Sequence, residues 1–273
     1  MTTAQLPLIL EPAELVPALN RPNVLILDLG KHETYLQAHV PGAIHVATKD
    51  TQLGTKPAPG KLPPKEQLSI LFSRLGLTPE THVVVYDDEG GPWAGRMIWV
   101  LDCIGHTRYS FLNGGIHNWL AGEHPVESAV NEPTASEYEV TSINAQASVT
   151  KEEILNSLNE KTMSIWDARG LPEYSGEKVV SARGGHIPGA KLYEWTDALD
   201  KENGLKLRDL EQIKSELIAL GIDGTKPIAT HCQTHRRSGL TYVIAKQLGW
   251  DVRAYDGSWS EWGNDPSLPV EKG

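Results

Sequence analysis

Cysteine is nearly absent: the 273 residues hold two, Cys103 and Cys232. Two thiols exclude a disulfide framework and a four-ligand zinc set. Basic charge is short as well. Lys and Arg number 25 against 35 Asp and Glu, a net charge of −10. That balance argues against nucleic acid and anionic membrane as partners, since both demand a basic surface. No apolar run approaches the ~20 residues of a membrane span. The first ten residues lack a basic n-region and the chain turns acidic at Glu11, so no signal peptide is expected. The expectation is a soluble, cytoplasmic protein whose thiols stay reduced. Gly90-Gly91-Pro92-Trp93-Ala94-Gly95 is glycine-rich but lacks the lysine of a phosphate loop, and no cofactor or metal is expected.

The two cysteines sit in different company. Cys103 ends the apolar, helix-like stretch 97–104 and reads as a buried structural thiol. Cys232 follows the apolar run Pro227-Ile228-Ala229-Thr230-His231 and opens Cys232-Gln233-Thr234-His235-Arg236-Arg237-Ser238, before a helix-like stretch at 239–249. Strand, thiol, tight loop and helix in that order put a sulfur above backbone N–H groups at a helix N-terminus, where they and the helix dipole favour negative charge. His235, Arg236 and Arg237 add cations. A free thiol has a pKa of about 8.5, which such surroundings lower. The pattern describes a thiolate nucleophile inside a small anion site, suited to a small anionic substrate in an otherwise acidic protein.

The chain is a duplication. Val24-Leu25-Ile26-Leu27-Asp28, Tyr35 and His39-Val40-Pro41-Gly42-Ala43 recur as Ile165-Trp166-Asp167, Tyr174 and His186-Ile187-Pro188-Gly189-Ala190. The strand His82-Val83-Val84-Val85-Tyr86 matches Pro227–His231, and a Gly-to-Trp segment then Pro-Val closes each half. Offsets of 139 (Asp28 to Asp167), 147 (Pro41 to Pro188) and 143 (Gly114 to Gly257) mark a whole-domain repeat. Apolar strands alternating with helical patterns predict an α/β fold of two similar domains, each a mostly parallel sheet flanked by helices. The expected division is 1–126, a polar linker at 127–148, and 149–273. Asp87 falls opposite Cys232, followed by Asp88-Glu89. The first domain is therefore expected to be silent and the second catalytic. The second copy carries eight extra residues between its Asp and its His, with Arg183 in or beside them.

These landmarks together resemble the tandem-domain rhodaneses, thiosulfate:cyanide sulfurtransferases, over nearly the full length. The Cys-Gln-Thr-His-Arg-Arg-Ser loop looks like that of the bacterial members. The resemblance implies ping-pong chemistry. The Cys232 thiolate takes the outer sulfur of thiosulfate, sulfite leaves, and cyanide or another thiophile removes the sulfur from the persulfide. The loop residues Gln233, Thr234, His235, Arg236, Arg237 and Ser238, with Arg183, are the candidate substrate ligands. Mammalian-type relatives carry a basic residue where this chain has Thr234. Mercaptopyruvate sulfurtransferases, the alternative, have a small neutral loop, whereas this one is cationic and favours the dianion.

Two rivals belong to other classes. A cysteine phosphatase needs a loop wide enough for tetrahedral phosphate, and this loop is one residue short. A persulfide carrier delivering sulfur to a partner protein would look the same at the cysteine. His39 and His186 invite a metal reading, but the repetition of the whole box in a half without a catalytic cysteine favours a structural turn. Arg237 either touches substrate or braces the loop through Asp167 or Glu173, and bracing is preferred. Ser238 reads as a helix N-cap that can also bond the sulfur. Trp195, Trp259 and Trp262 read as core. An internally duplicated chain is expected to be a monomer.

Overall fold

The computed structural model describes residues 6–273. The chain forms two compact units. One comprises residues up to Thr51, Pro63–Ile143 and Asp200–Leu207, and the other Gln52–Leu62, Asn144–Leu199 and Arg208–Gly273. Each unit thus includes a short segment from the opposite half of the sequence.

The first unit has a five-stranded parallel sheet in the order Ile9–Leu10, Tyr109–Leu112, His82–Tyr86, Val24–Asp28, Ile44–His45. The second has four parallel strands in the order Val252–Ala254, Ile228–His231, Ser164–Asp167, Lys191–Leu192. The central strands are apolar runs because both faces are covered; every residue of His82–Tyr86 and of Ile228–His231 is buried. In the second unit Ile165, Ala229, Ile187, Tyr255, Trp259 and Trp262 pack as one core.

The duplicated box folds the same way twice. The Tyr35 hydroxyl donates to the Ala43 carbonyl at 3.0 Å, and the Tyr174 hydroxyl to that of Ala190 at 2.7 Å. His39 Nδ1 lies 2.6 Å from the Tyr35 carbonyl and His186 Nδ1 2.9 Å from that of Tyr174. Each imidazole stacks on its tyrosine, at 3.8 and 3.6 Å. Both histidines are therefore parts of a turn, and no cluster suited to a metal occurs among the described residues. Among the same residues no helix is long and apolar enough to cross a membrane.

Candidate active site

The strands Ser164–Asp167 and Ile228–His231 run parallel with Asp167 beside His231, so their carboxyl ends bring Asp167, His231 and Cys232 together. This is the end of a parallel sheet where ligands usually bind. The Cys232 backbone is tied down from the next turn. Its carbonyl accepts from Trp259 N at 3.0 Å, and its N–H reaches Ser258 Oγ at 3.4 Å. The loop then turns through His235, whose φ is +53°, a left-handed conformation that histidine tolerates better than most side chains. The following helix spans Arg237–Gln247 with Arg236 at its N-cap. It begins two residues before the stretch read from sequence. Ser238 therefore lies inside the first turn instead of capping it.

That placement gives Ser238 another task. Its hydroxyl and its backbone N–H both bond the Cys232 sulfur, as does the Thr234 N–H. Ser238 Oγ also lies 2.7 Å from His235 Nδ1. A hydroxyl has one proton. When that proton goes to the sulfur, Nδ1 of His235 must be the donor to Oγ, which fixes the buried imidazole's tautomer.

Arg237 is the cation whose charge acts on the sulfur. Its guanidinium is held in a two-point fork by Glu173, at 2.6 and 2.9 Å. Asp167, the other acid considered from sequence, is occupied by Arg169. Those contacts run from 2.6 to 3.1 Å between fully buried groups, and Arg169 also lies over the Trp259 ring at 4.5 Å. Burial pushes the Cys232 thiol up, but the Arg237 charge, the Ser238 hydroxyl and the Ser238 and Thr234 N–H groups outweigh it. The thiol titrates below its ordinary value. Its rate of alkylation should accordingly level off below the pH of about 8.5 at which an ordinary thiol is half ionised, and sulfate should slow it. An inflection at 8.5 in a pH series of iodoacetamide labelling would refute a stabilised thiolate.

The other sequence candidates divide. Gln233 Nε2 lies 3.2 Å from Ser181 Oγ, so the extra residues of the second copy meet the loop through Ser181. Arg183 has its guanidinium on the carbonyls of Trp262 at 2.9 Å, Leu268 at 2.7 Å, Gly263 and Asp265, at the end of the helix Ser258–Trp262. Its donors are committed there and not to the loop. Arg236 is partly exposed, whereas His235 is fully buried. Trp259 and Trp262 are buried core and Trp195 is partly exposed. Ser181 and Ser258 carried no signal in the sequence, because each acts through a hydrogen bond to a residue far along the chain.

The equivalent loop of the first unit explains itself in the same terms. Asp87 Oδ1 accepts the N–H groups of Glu89 and Gly91 at 2.9 and 2.8 Å, and Oδ2 those of Trp93 and Ala94 at 2.8 and 3.0 Å. The Asp87 carbonyl accepts from Ile116 N at 3.2 Å, as that of Cys232 does from Trp259. The carboxylate occupies the nest at the start of the helix Pro92–Cys103 that in the second unit surrounds a sulfur. Burial pushes the Asp87 carboxyl up and the four N–H groups pull it down; beyond the acidity of the loop, then, the first nest is already filled by its own side chain.

The rhodanese-like domain profile matches twice, at residues 11–122 and 150–265. The chain is 49% identical over 269 residues to the thiosulfate sulfurtransferase of Azotobacter vinelandii, with 98% of each chain covered. It is 31% identical to the 3-mercaptopyruvate sulfurtransferase of Escherichia coli, covering 89% of this chain and 87% of that one. The anaerobic ergothioneine biosynthesis enzyme of Chlorobium limicola shares the fold, with a TM-score of 0.84 at 24% identity, over 96% of this chain and 67% of that one. With both halves matched and a close relative aligned end to end, the chain belongs to the rhodanese family and carries its domain in tandem.

Proposed function

We infer that this chain is a thiosulfate sulfurtransferase in which the second domain, 149–273, carries the chemistry and the first, 1–126, is silent. The observation that carries the reading is the Cys232 sulfur, held by two N–H groups and one hydroxyl beside the Arg237 charge. In the first half-reaction the thiolate attacks the outer sulfur of thiosulfate. A new S–S bond forms, the bond to the sulfonate breaks, and sulfite leaves with the electron pair. In the second, cyanide attacks the outer sulfur of the persulfide. Thiocyanate leaves and the thiolate is regenerated. Charge balances in both steps, because the persulfide anion replaces the thiolate and sulfite carries off the donor's two charges. The N–H groups and Ser238 stabilise the leaving thiolate of the second step as they stabilised the nucleophile of the first. His235 orients Ser238. Arg236, partly exposed at the helix start, is the residue assigned to the donor's sulfonate, with Gln233 and Thr234 shaping the approach. Arg183 is assigned to holding the 262–268 turn.

Cys232 has no exposed surface. A donor reaches the sulfur only when the loop's surroundings open locally, so turnover includes such a motion. The loop's positive charge favours dianionic thiosulfate over monoanionic mercaptopyruvate. The residues 127–148 serve as the linker between the domain repeats, and a protein thiol is a compatible acceptor.

Intact mass spectrometry tests this reading. Incubation with thiosulfate should add one sulfur atom per chain, and cyanide should remove it as thiocyanate. A sulfur that only a protein acceptor discharges would make the chain a persulfide carrier. No added mass would overturn the reaction class.

A further inference from the structure

The loop that holds the sulfur is pressed from outside by a segment far away in the sequence. Gln52–Leu62 belongs to the same compact unit as Cys232. Within it Gly60 is buried. A Cβ built on Gly60 would stand 2.0 Å from the Thr234 carbonyl oxygen, 2.6 Å from its carbon and 3.0 Å from the Asp256 carbonyl oxygen. Real Cβ atoms do not approach backbone so closely, and backbone cannot swing aside as the end of a flexible side chain does. The φ of Gly60 is not among the positive values of the chain. Its own conformation therefore does not demand glycine. The Thr234 peptide does.

The segment is fixed as well as close. Leu53 N donates to the Lys61 carbonyl at 2.8 Å and Gly54 N to that of Pro59 at 2.9 Å, which folds the segment back on itself. Leu62 N donates to Asp256 Oδ2 at 2.9 Å, and Lys61 pairs with Glu261 at 2.7 Å. Asp256 and Glu261 flank Ser258 and Trp259, the residues that hold the Cys232 backbone. One surface thus meets the sulfur's cradle both at the Thr234 peptide and through the turn that holds the Cys232 backbone.

We propose that Gly60 is a positioning residue for sulfur transfer: its missing side chain lets Gln52–Leu62 lodge against the Thr234 carbonyl and lock the peptide that shapes the persulfide nest. The inference rests on the reading of Cys232 as the sulfur-carrying residue. In a trans peptide the carbonyl and the next N–H point opposite ways. An oxygen lodged against Gly60 turns the His235 N–H away from the segment, and His235 must then keep its left-handed φ. A side chain held in that region persists only where its surroundings over-determine it, and the segment is such a surrounding. If the Thr234 carbonyl is pushed back, the Thr234 N–H and the Ser238 hydroxyl lose their aim at the sulfur together. The donor loses its geometry, and the thiol loses part of what holds its pKa down.

The test is Gly60→Ala in the full chain, with Thr55→Ala, on the exposed part of the same segment, as the control. The measurements are kcat and KM for thiosulfate, the pH inflection of Cys232 alkylation, and the melting temperature. The inflection is read instead of the rate's height, because a loosened loop also admits reagent faster. Gly60→Ala should lower kcat/KM by about tenfold to a hundredfold, the upper figure being the scale of a misplacement of about 1 Å at a reacting centre. The inflection should move up toward that of an ordinary thiol, while Thr55→Ala matches the parent in both. Asp256→Ala, which frees Leu62 N, covers the case in which Gly60→Ala does not fold. Loosening the segment raises the inflection, whereas loss of a nearby negative charge alone would lower it. A folded Gly60→Ala with parental kcat/KM and inflection overturns the proposal, and so does a lower melting temperature with both unchanged. So does a lowered inflection in Asp256→Ala. If the parent itself takes no sulfur from thiosulfate, the reading of the site fails separately, and the alkylation inflection still decides the role of Gly60.

Discussion

Replacing Cys232 with Ser or Ala is expected to abolish thiosulfate:cyanide sulfur transfer, a loss of roughly 10⁴-fold or more, as when the nucleophile of a covalent mechanism is removed. No other group near the loop can take over. Carboxylates, imidazole and guanidinium do not form a persulfide, and the second thiol, Cys103, is buried in the helix Pro92–Cys103 of the other unit. The two variants should differ in stability. Serine leaves an oxygen that accepts the Thr234 and Ser238 N–H groups. Alanine leaves those buried donors without their acceptor, at a cost of about 1–3 kcal/mol each where water does not enter. Thermal melts should therefore rank the parent and the Ser variant above the Ala variant, while neither variant gains mass from thiosulfate. Cys103→Ser should keep full turnover. Persistent turnover without Cys232, or its loss without Cys103 in a folded protein, would place the chemistry elsewhere.

The strand–thiol–loop–helix geometry around Cys232 was legible from sequence because its parts are contiguous. An apolar strand, a thiol, three basic side chains and a helix occupy one short stretch, and steric rules for a strand-to-helix turn do the rest. The box at 39–43 and 186–190 was legible because it occurs twice, once without a thiol to serve. What stayed hidden depends on distance along the chain. Arg237 could pair with either Asp167 or Glu173 as far as sequence shows. Only the structure shows that Arg169 folds back two residues onto Asp167 and leaves Glu173 for Arg237. Arg183 looked like a donor ligand because it lies in the extra residues of the second copy, but four carbonyls at the end of a nearby helix hold it. Asp87 looked merely repulsive, because nothing local says that its own carboxylate accepts four N–H groups. Gly60 is one of 25 glycines, and its reason lies in a carbonyl more than half the chain away.

Arg237→Ala should lower the melting temperature and raise the thiol's pKa at the same time. Arg237 and Glu173 form a partly buried pair, with side chains 21% and 10% exposed. Removing the arginine leaves a mostly buried carboxylate beside the loop. A fully buried pair loses ~3–5 kcal/mol when one partner is deleted, and the residual exposure here reduces that to about 2–4 kcal/mol. At about 3 °C per kcal/mol for a protein of this size, the melting temperature falls by roughly 6–12 °C. The thiol responds because the Arg237 charge is, after burial, the first influence on it and acts downward. Without that charge the alkylation inflection moves up. Glu173→Gln separates the two roles. It removes the fork's acceptor charge and so costs stability, but it leaves Arg237 cationic without its carboxylate counter-charge, so the inflection should move down. Both variants melt low and their thiols shift in opposite directions, a pattern that a pure substrate ligand cannot give. If Arg237→Ala melts like the parent and loses only thiosulfate affinity, Arg237 binds the donor and the brace must be sought at Arg236.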